Sequence, residues 1–88
     1  MTWSLRLAAS ARRSLEDLPE KVVSAVVEFM LGPLPEEPLR VGKALTRELT
    51  GYRAARRGPY RIVYRPDEEA RTVNVVRIDH RSRVYRPS

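Results

Sequence analysis

The side chains that could do chemistry are arginines and one tyrosine, and they recur at strand spacing in the second half of the chain. Arg53, Arg56 and Arg57 fall on one segment, Arg61 and Arg65 on the next, and Arg77 and Arg81 near the end of a third, with Tyr85 four residues further on. Because side chains on a strand alternate with a period of two, Arg61 and Arg65 share a face. If the three segments lie side by side, several guanidinium groups converge on one surface. Such a surface suits a phosphate, and a pentacoordinate phosphorane better still, because fixed cations aimed at developing charge stabilise a transition state. A tyrosine among arginines has its anion favoured, which brings its pKa down from about 10 towards a value usable by a general base. The same spacing also fits a plainer arrangement in which Tyr85 packs a tail and Arg61 and Arg65 pair with glutamates.

Other chemistries lack their residues. There is no phosphate-cradling glycine-rich loop, no Ser-His-Asp set and no histidine pair, since His80 is the single histidine. Cysteine is absent, which removes disulfides and thiolate metal sites. Asp67, Glu68 and Glu69 sit together on a turn, where acids form a solvated cap. No metal site and no cofactor is expected.

The elements that must position the arginines follow from the hydrophobic pattern. Trp3, Leu5 and Leu7 alternate with polar or small residues, as in a half-buried strand. Ser10 is placed to cap a short helix carrying Ala11, Leu15 and Leu18 on one side. Pro19 suits the first turn of a second helix, whose Val22, Val23, Val26, Val27, Phe29 and Met30 recur at helical spacing until Gly32-Pro33. The two helices form an antiparallel hairpin joined at Asp17–Glu20. The prolines between Gly32 and Pro38 predict a loop, and the segment Leu39 to Leu49 reads as a further loop. Strands follow at Tyr52–Arg57 and from Tyr60 to Arg65, joined by a Gly58-Pro59 turn, and then at Thr72–Ile78 after a turn at Pro66–Glu69. The Val- and Ile-rich centre of that last strand is expected to be buried on both faces. Arg83–Arg86 reads as a short edge strand or ordered tail. The predicted fold class is α+β, a single domain over residues 1–88, with a helical hairpin on one face of a three- to four-stranded antiparallel sheet.

Charge marks the partner. The net charge is +6, and fifteen of the seventeen basic residues are arginine. Residues 1–39 hold four basic side chains against six acidic ones, whereas residues 40–88 hold thirteen against five. The positive charge is thus gathered in the half that carries the arginine strands, which points to a polyanion. Arginine offers a planar fork for phosphate and a flat face for stacking on bases. The most apolar stretch, Val22 to Leu31, is too short to span a bilayer, and the start has no long apolar run of the signal-peptide kind. No membrane association is expected, and the location is read as cytoplasmic.

The motifs Gly42-Lys43, Leu49-Thr50-Gly51-Tyr52, Ala55-Arg56-Arg57-Gly58, Tyr60-Arg61-Ile62-Val63-Tyr64-Arg65 and Asp79-His80-Arg81 through Val84-Tyr85-Arg86 resemble, in order and over nearly the whole chain, the RelE branch of the RelE/ParE toxins. They are most similar to its actinobacterial members. The resemblance implies a βααβββ fold and a type II toxin–antitoxin toxin. It implies a metal-independent endoribonuclease, an mRNA interferase that cleaves mRNA in the ribosomal A site and inhibits translation. The ribose 2′-OH attacks the adjacent phosphate in line, leaving a 2′,3′-cyclic phosphate and a 5′-OH. Carried onto this sequence, Arg61 stabilises the transition state, Arg81 assists the leaving oxygen, and Tyr85 acts as base or stacks on a base. Lys43, Arg53, Arg56, Arg57, Arg65, Arg77, His80 and Arg83 are the expected RNA contacts. The implied partners are the ribosome, mRNA and a cognate antitoxin. Two departures stand out: a strand lysine common in RelE is Ala55 here, and His80 replaces a lysine found in other members. They leave room for a ParE-type DNA gyrase inhibitor that does not cut nucleic acid, or a catalytically weak RNA-binding module.

Overall fold

The computed structural model describes residues 2–80. The expected Arg81, Arg83 and Tyr85 and the terminal strand over residues 83–86 lie outside the described residues. Strand β1 (Ser4–Leu7) leads into helices α1 (Ala9–Glu16) and α2 (Glu20–Leu31) and a single-turn helix α3 (Pro33–Glu36). Four strands follow: β2 (Lys43–Ala44), β3 (Arg53–Arg57), β4 (Tyr60–Asp67) and β5 (Thr72–His80), with one 3-10 turn at Arg47–Leu49. The architecture is α+β, as the hydrophobic pattern predicts.

The sheet order is β1-β5-β4-β3-β2. Strands β2 to β5 pair antiparallel, but β1 runs parallel to β5, with Leu5 beside Val73 and Leu7 beside Val75. The expected sheet therefore gains a parallel edge. The helices that follow β1 lie on one face and return the chain to the sheet, and such a crossover permits parallel pairing.

One face of the sheet is the core wall. Ala55, Ile62, Tyr64, Val73, Val75 and Ile78 are buried there with Trp3, Ala11, Val26, Phe29, Met30 and Leu34. Val75 and Ile78 are three residues apart and would face opposite sides of a regular strand. An irregularity resolves this: Val63 pairs with Arg77 and Tyr64 with Val75, so Val76 is an extra residue on β5. The bulge sends Ile78 inward and Arg77 outward. It also corrects the expectation that the centre of β5 is buried on both faces, because Asn74 and Val76 are only half-buried.

Several local expectations change. The residue before α1 is Ala8, and no side chain caps the helix. The Ser10 hydroxyl instead donates to the Val76 carbonyl at 2.6 Å and ties α1 to the bulge. Pro19 takes the capping position just before α2, one residue earlier than its expected place in the first turn. The proline-rich stretch after Gly32 makes one turn of helix rather than a loop, with Pro33 at its start. Proline suits the first turn, where N–H groups have no helical acceptor. That turn seats Leu34 fully in the core, and its Pro35 carbonyl accepts the Trp3 N–H at 2.8 Å. The Leu39–Leu49 stretch contains β2, a two-residue strand paired with β3. Pro66 and Asp67 still belong to β4, and the turn begins after them.

Candidate nucleic-acid interface

The sheet face turned away from the helices carries most of the predicted cations in ordered rows. In one row Lys43, Ala54, Val63 and Arg77 stand side by side across β2, β3, β4 and β5. In the next, Arg56 stands opposite Arg61, and Arg61 opposite Asp79. In a third, Arg65 stands opposite Asn74, which is beside Arg6 of β1. The arrangement is a small apolar floor, Ala54 and Val63, ringed by Lys43, Arg56, Arg61, Arg65 and Arg77. A groove of about 390 Å³ lies on the β2 side of this floor, and its lining includes Lys43, Ala54, Arg56 and Arg61.

One feature of this face is electrostatically costly and another offsets part of it. Arg56 and Arg61 are direct cross-strand neighbours, and like charges at that position repel. Asp79 is the acid that stands among them; its carboxylate is largely covered and pairs with the Arg77 Nε at 2.6 Å. With that carboxylate set against Arg61, Arg77 and their neighbours, the face stays strongly positive. An anion laid across it relieves the repulsion. The geometry suits a phosphodiester backbone, with a base or ribose resting on Ala54 and Val63.

The other predicted residues among those described lie elsewhere. Arg53 is on the core side of β3, where its Nη2 donates to the carbonyls of Leu39 at 2.9 Å and Gly42 at 2.7 Å. Beside it Tyr64 is fully buried and donates its hydroxyl to the Pro38 carbonyl at 2.6 Å. Burial raises the Tyr64 pKa, while the hydrogen bond and charge of Arg53 pull the other way. The phenol is therefore held protonated and serves as a donor. Arg57 is also on the helix side, with its guanidinium 4.1 Å from the Phe29 ring centre. His80 is there too, edge-on to Tyr60 with ring centres 5.1 Å apart, beside a cleft that also involves Ser10, Arg13 and Asp17. The structure thus brings together Lys43, Arg56, Arg61, Arg65 and Arg77, and separates them from Arg53, Arg57 and His80.

Arg6, Asn74 and Asp79 belong to the basic face and were not singled out by sequence. The alternation in β1 does put Arg6 opposite to Leu5 and Leu7, but only the parallel pairing with β5 brings it beside Asn74. Among the described residues, no group of three His, Asp or Glu side chains is placed to hold a metal ion. Among the same residues, no helix is long and apolar enough to cross a membrane.

The sequence and the fold both have close relatives. The family model for the ParE toxin of type II toxin–antitoxin systems, parDE, matches residues 5–85. The chain therefore belongs to the ParE toxin family and is a toxin of the type II toxin–antitoxin kind. Within the wider RelE/ParE grouping it falls on the RelE branch. Toxin RelG of Mycobacterium tuberculosis is 52% identical over 86 residues, covering 98% of this chain and 99% of that protein. Toxin RelE of the same organism is 44% identical over 84 residues, covering 96% and 87%. The crystal structure of the M. tuberculosis RelBE2 toxin–antitoxin complex contains a chain that superposes with a TM-score of 0.89 at 51% identity, covering 93% of this chain and 94% of that one. The isolated Escherichia coli RelE toxin shares the fold, with a TM-score of 0.73 at 16% identity, over 89% of this chain and 83% of that one.

Proposed function

We propose that the protein is a ribosome-dependent endoribonuclease that cleaves mRNA in the A site and so inhibits translation. The observation that carries this reading is the ring of Lys43, Arg56, Arg61, Arg65 and Arg77 around the Ala54–Val63 floor. In the proposed reaction the ribose 2′-OH attacks the adjacent phosphorus and the P–O5′ bond breaks. The products are a 2′,3′-cyclic phosphate and a 5′-OH. Arg61 neutralises the charge that builds on the non-bridging oxygens, and preorganised cations of this kind need no reorganisation during the step. The family resemblance assigns Arg81 to the leaving oxygen and Tyr85 to the proton of the 2′-OH or to stacking on a base. Positive charge comes from arginine, so the chemical step needs no divalent ion.

A cognate antitoxin is the proposed protein partner, as in the RelBE2 complex, and the toxin acts in the cytoplasm as a single domain. The deciding experiment maps 5′ ends on a translated mRNA, with and without active ribosomes. New 5′-OH ends in phase with the reading frame, only where ribosomes translate, are expected. Intact mRNA together with a DNA-damage response and direct gyrase binding would replace this reading with ParE-type gyrase inhibition.

A further inference from the structure

Lys43 lines the basic groove, yet it sits on a strand of two residues at the sheet edge. The ladder of β2 is two residue pairs, Lys43 with Ala54 and Ala44 with Arg53, extended by one bond from the Leu45 N–H to the Tyr52 carbonyl at 2.9 Å. Short two-stranded pairings are marginal in water, so something else must hold the segment. Three contacts from the core side do so. The Arg53 guanidinium bonds the carbonyls of Leu39 and Gly42. The Tyr64 hydroxyl bonds the Pro38 carbonyl. Gly42 lies so close to the Tyr64 hydroxyl and the Ala54 backbone that a Cβ there would collide with both.

We infer that Arg53 and Tyr64 form a clamp that fixes the 38–42 strap from beneath the sheet and thereby sets Lys43 over the RNA groove. Arg53 is a positioning residue in this scheme, not a phosphate contact. The reasoning is chemical as well as geometric. A charged donor on two carbonyls makes bonds stronger than neutral ones. Its Nη2 already serves both carbonyls on the core side of β3, opposite the buried Tyr64, so the side chain points away from the face that would meet RNA. Tyr64, held protonated, adds the third bond. The inference rests on the reading that this face binds RNA, and its two tests separate the clamp from that reading.

The first test needs no RNA. Amide hydrogen exchange is followed in the wild type, Arg53→Met and Tyr64→Phe proteins. The clamp predicts exchange at residues 41–44 faster by tenfold or more in either variant, with β4 and β5 amides unchanged. Unchanged exchange at residues 41–44 in both variants overturns the clamp, whatever the protein binds. The second test measures affinity for a short 2′-O-methyl RNA, which cannot be cleaved, across a salt series. Lys43→Ala should lower the salt slope by about 0.7, the value expected when one fewer phosphate of a single strand is neutralised. Arg53→Met should lower affinity in the wild-type background and have no further effect on affinity or slope in the Lys43→Ala background. Additive losses would make Arg53 an RNA-binding residue in its own right and overturn the positioning role while leaving the RNA reading intact. A Lys43→Ala protein that binds the RNA as the wild type does would remove both Lys43 and its clamp from RNA binding.

Discussion

Arg61 occupies a position where the basic face is crowded on both sides, with Arg56 across one strand boundary and Asp79 across the other. That placement sets its expected weight in the reaction. Arg61→Ala should slow mRNA cleavage by about 10²- to 10³-fold, the usual loss when one preorganised transition-state donor is removed. The fold should survive, because Arg61 is only half-buried and lies on the sheet face turned away from the core. End-mapping in a translation extract, with urea unfolding of the same variant, checks both halves. A fully cleaving variant would remove Arg61 from the site. Tyr64 makes a second prediction at this scale. Its pKa is raised in the folded protein, chiefly by burial, so its contribution to stability is complete below the ordinary tyrosine value near 10. That contribution is lost as pH rises through the folded value. Ultraviolet titration should show a late-ionising tyrosine, and Tyr64→Phe should abolish that late step. Tyr64's share of the wild-type stability should begin to fall only in the alkaline range above about pH 10.

At the level of elements, the bulge at Val76 and the strap at Gly42 hold the basic face in register. Deleting Val76 would leave Val75 and Ile78 two residues apart, the spacing at which both face the core of a regular strand, so the ladder to β4 can close without the bulge. The deletion should therefore retain cooperative unfolding by circular dichroism, at a lower midpoint because the bond from the Ser10 hydroxyl to the Val76 carbonyl is lost, and Val76→Ala, at a half-buried position, should retain it with that bond in place. Gly42→Ala should cost about 1–3 kcal/mol through overpacking against Tyr64 and Ala54, read as a lower urea midpoint with unchanged slope. These same places show what sequence could and could not convey. The helical and alternating patterns of Val22–Met30 and Tyr60–Arg65 predict the second helix and the fourth strand, because one buried face leaves a periodic trace. The facing of Arg61 and Arg65 follows from spacing alone. The bulge leaves no such trace: Val75, Val76 and Ile78 are all apolar, so the composition reads as a strand buried on both faces. The separation of Arg53 and Arg57 from Arg56 follows from strand period, but which side faces the helices depends on Ala55, a small residue with a weak hydrophobic signal. The strap 38–42 is legible only once Arg53 and Tyr64 are seen to bond its carbonyls, contacts that join residues 11 to 26 apart.

The whole molecule divides its charge by face as well as by sequence. The helix side carries core and stacked arginines, such as Arg57 on Phe29 and Arg71 on Trp3, while the opposite side of the sheet gathers unburied cations. A protein arranged this way should bind single-stranded RNA with a strong salt dependence. With about three to five phosphates neutralised, log K should fall against log salt with a slope of about −2 to −3.5. The same field should draw in an acidic antitoxin, so stopped-flow association should slow as salt rises. An association rate flat with salt, in a complex that still cleaves mRNA, would mean that neutralisation bypasses this face.

The parallel seam between β1 and β5 has a consequence for the order in which the chain acquires its shape. Ser4 lies beside Thr72 and Leu7 beside Val75, so nearly the full described length separates the two sides of the seam. Closing a loop of that size costs about 4 kcal/mol of chain entropy. During synthesis, the β1 segment emerges first and has no neighbour until β5 has also emerged. The hairpins of β3, β4 and β5 can zip up locally, and β1 must dock onto a nearly finished sheet. Leu5→Ala should then speed unfolding and leave the refolding rate almost unchanged, which a chevron plot resolves. A toxin built this way completes its fold late, after the strands that bear its cations are already in register.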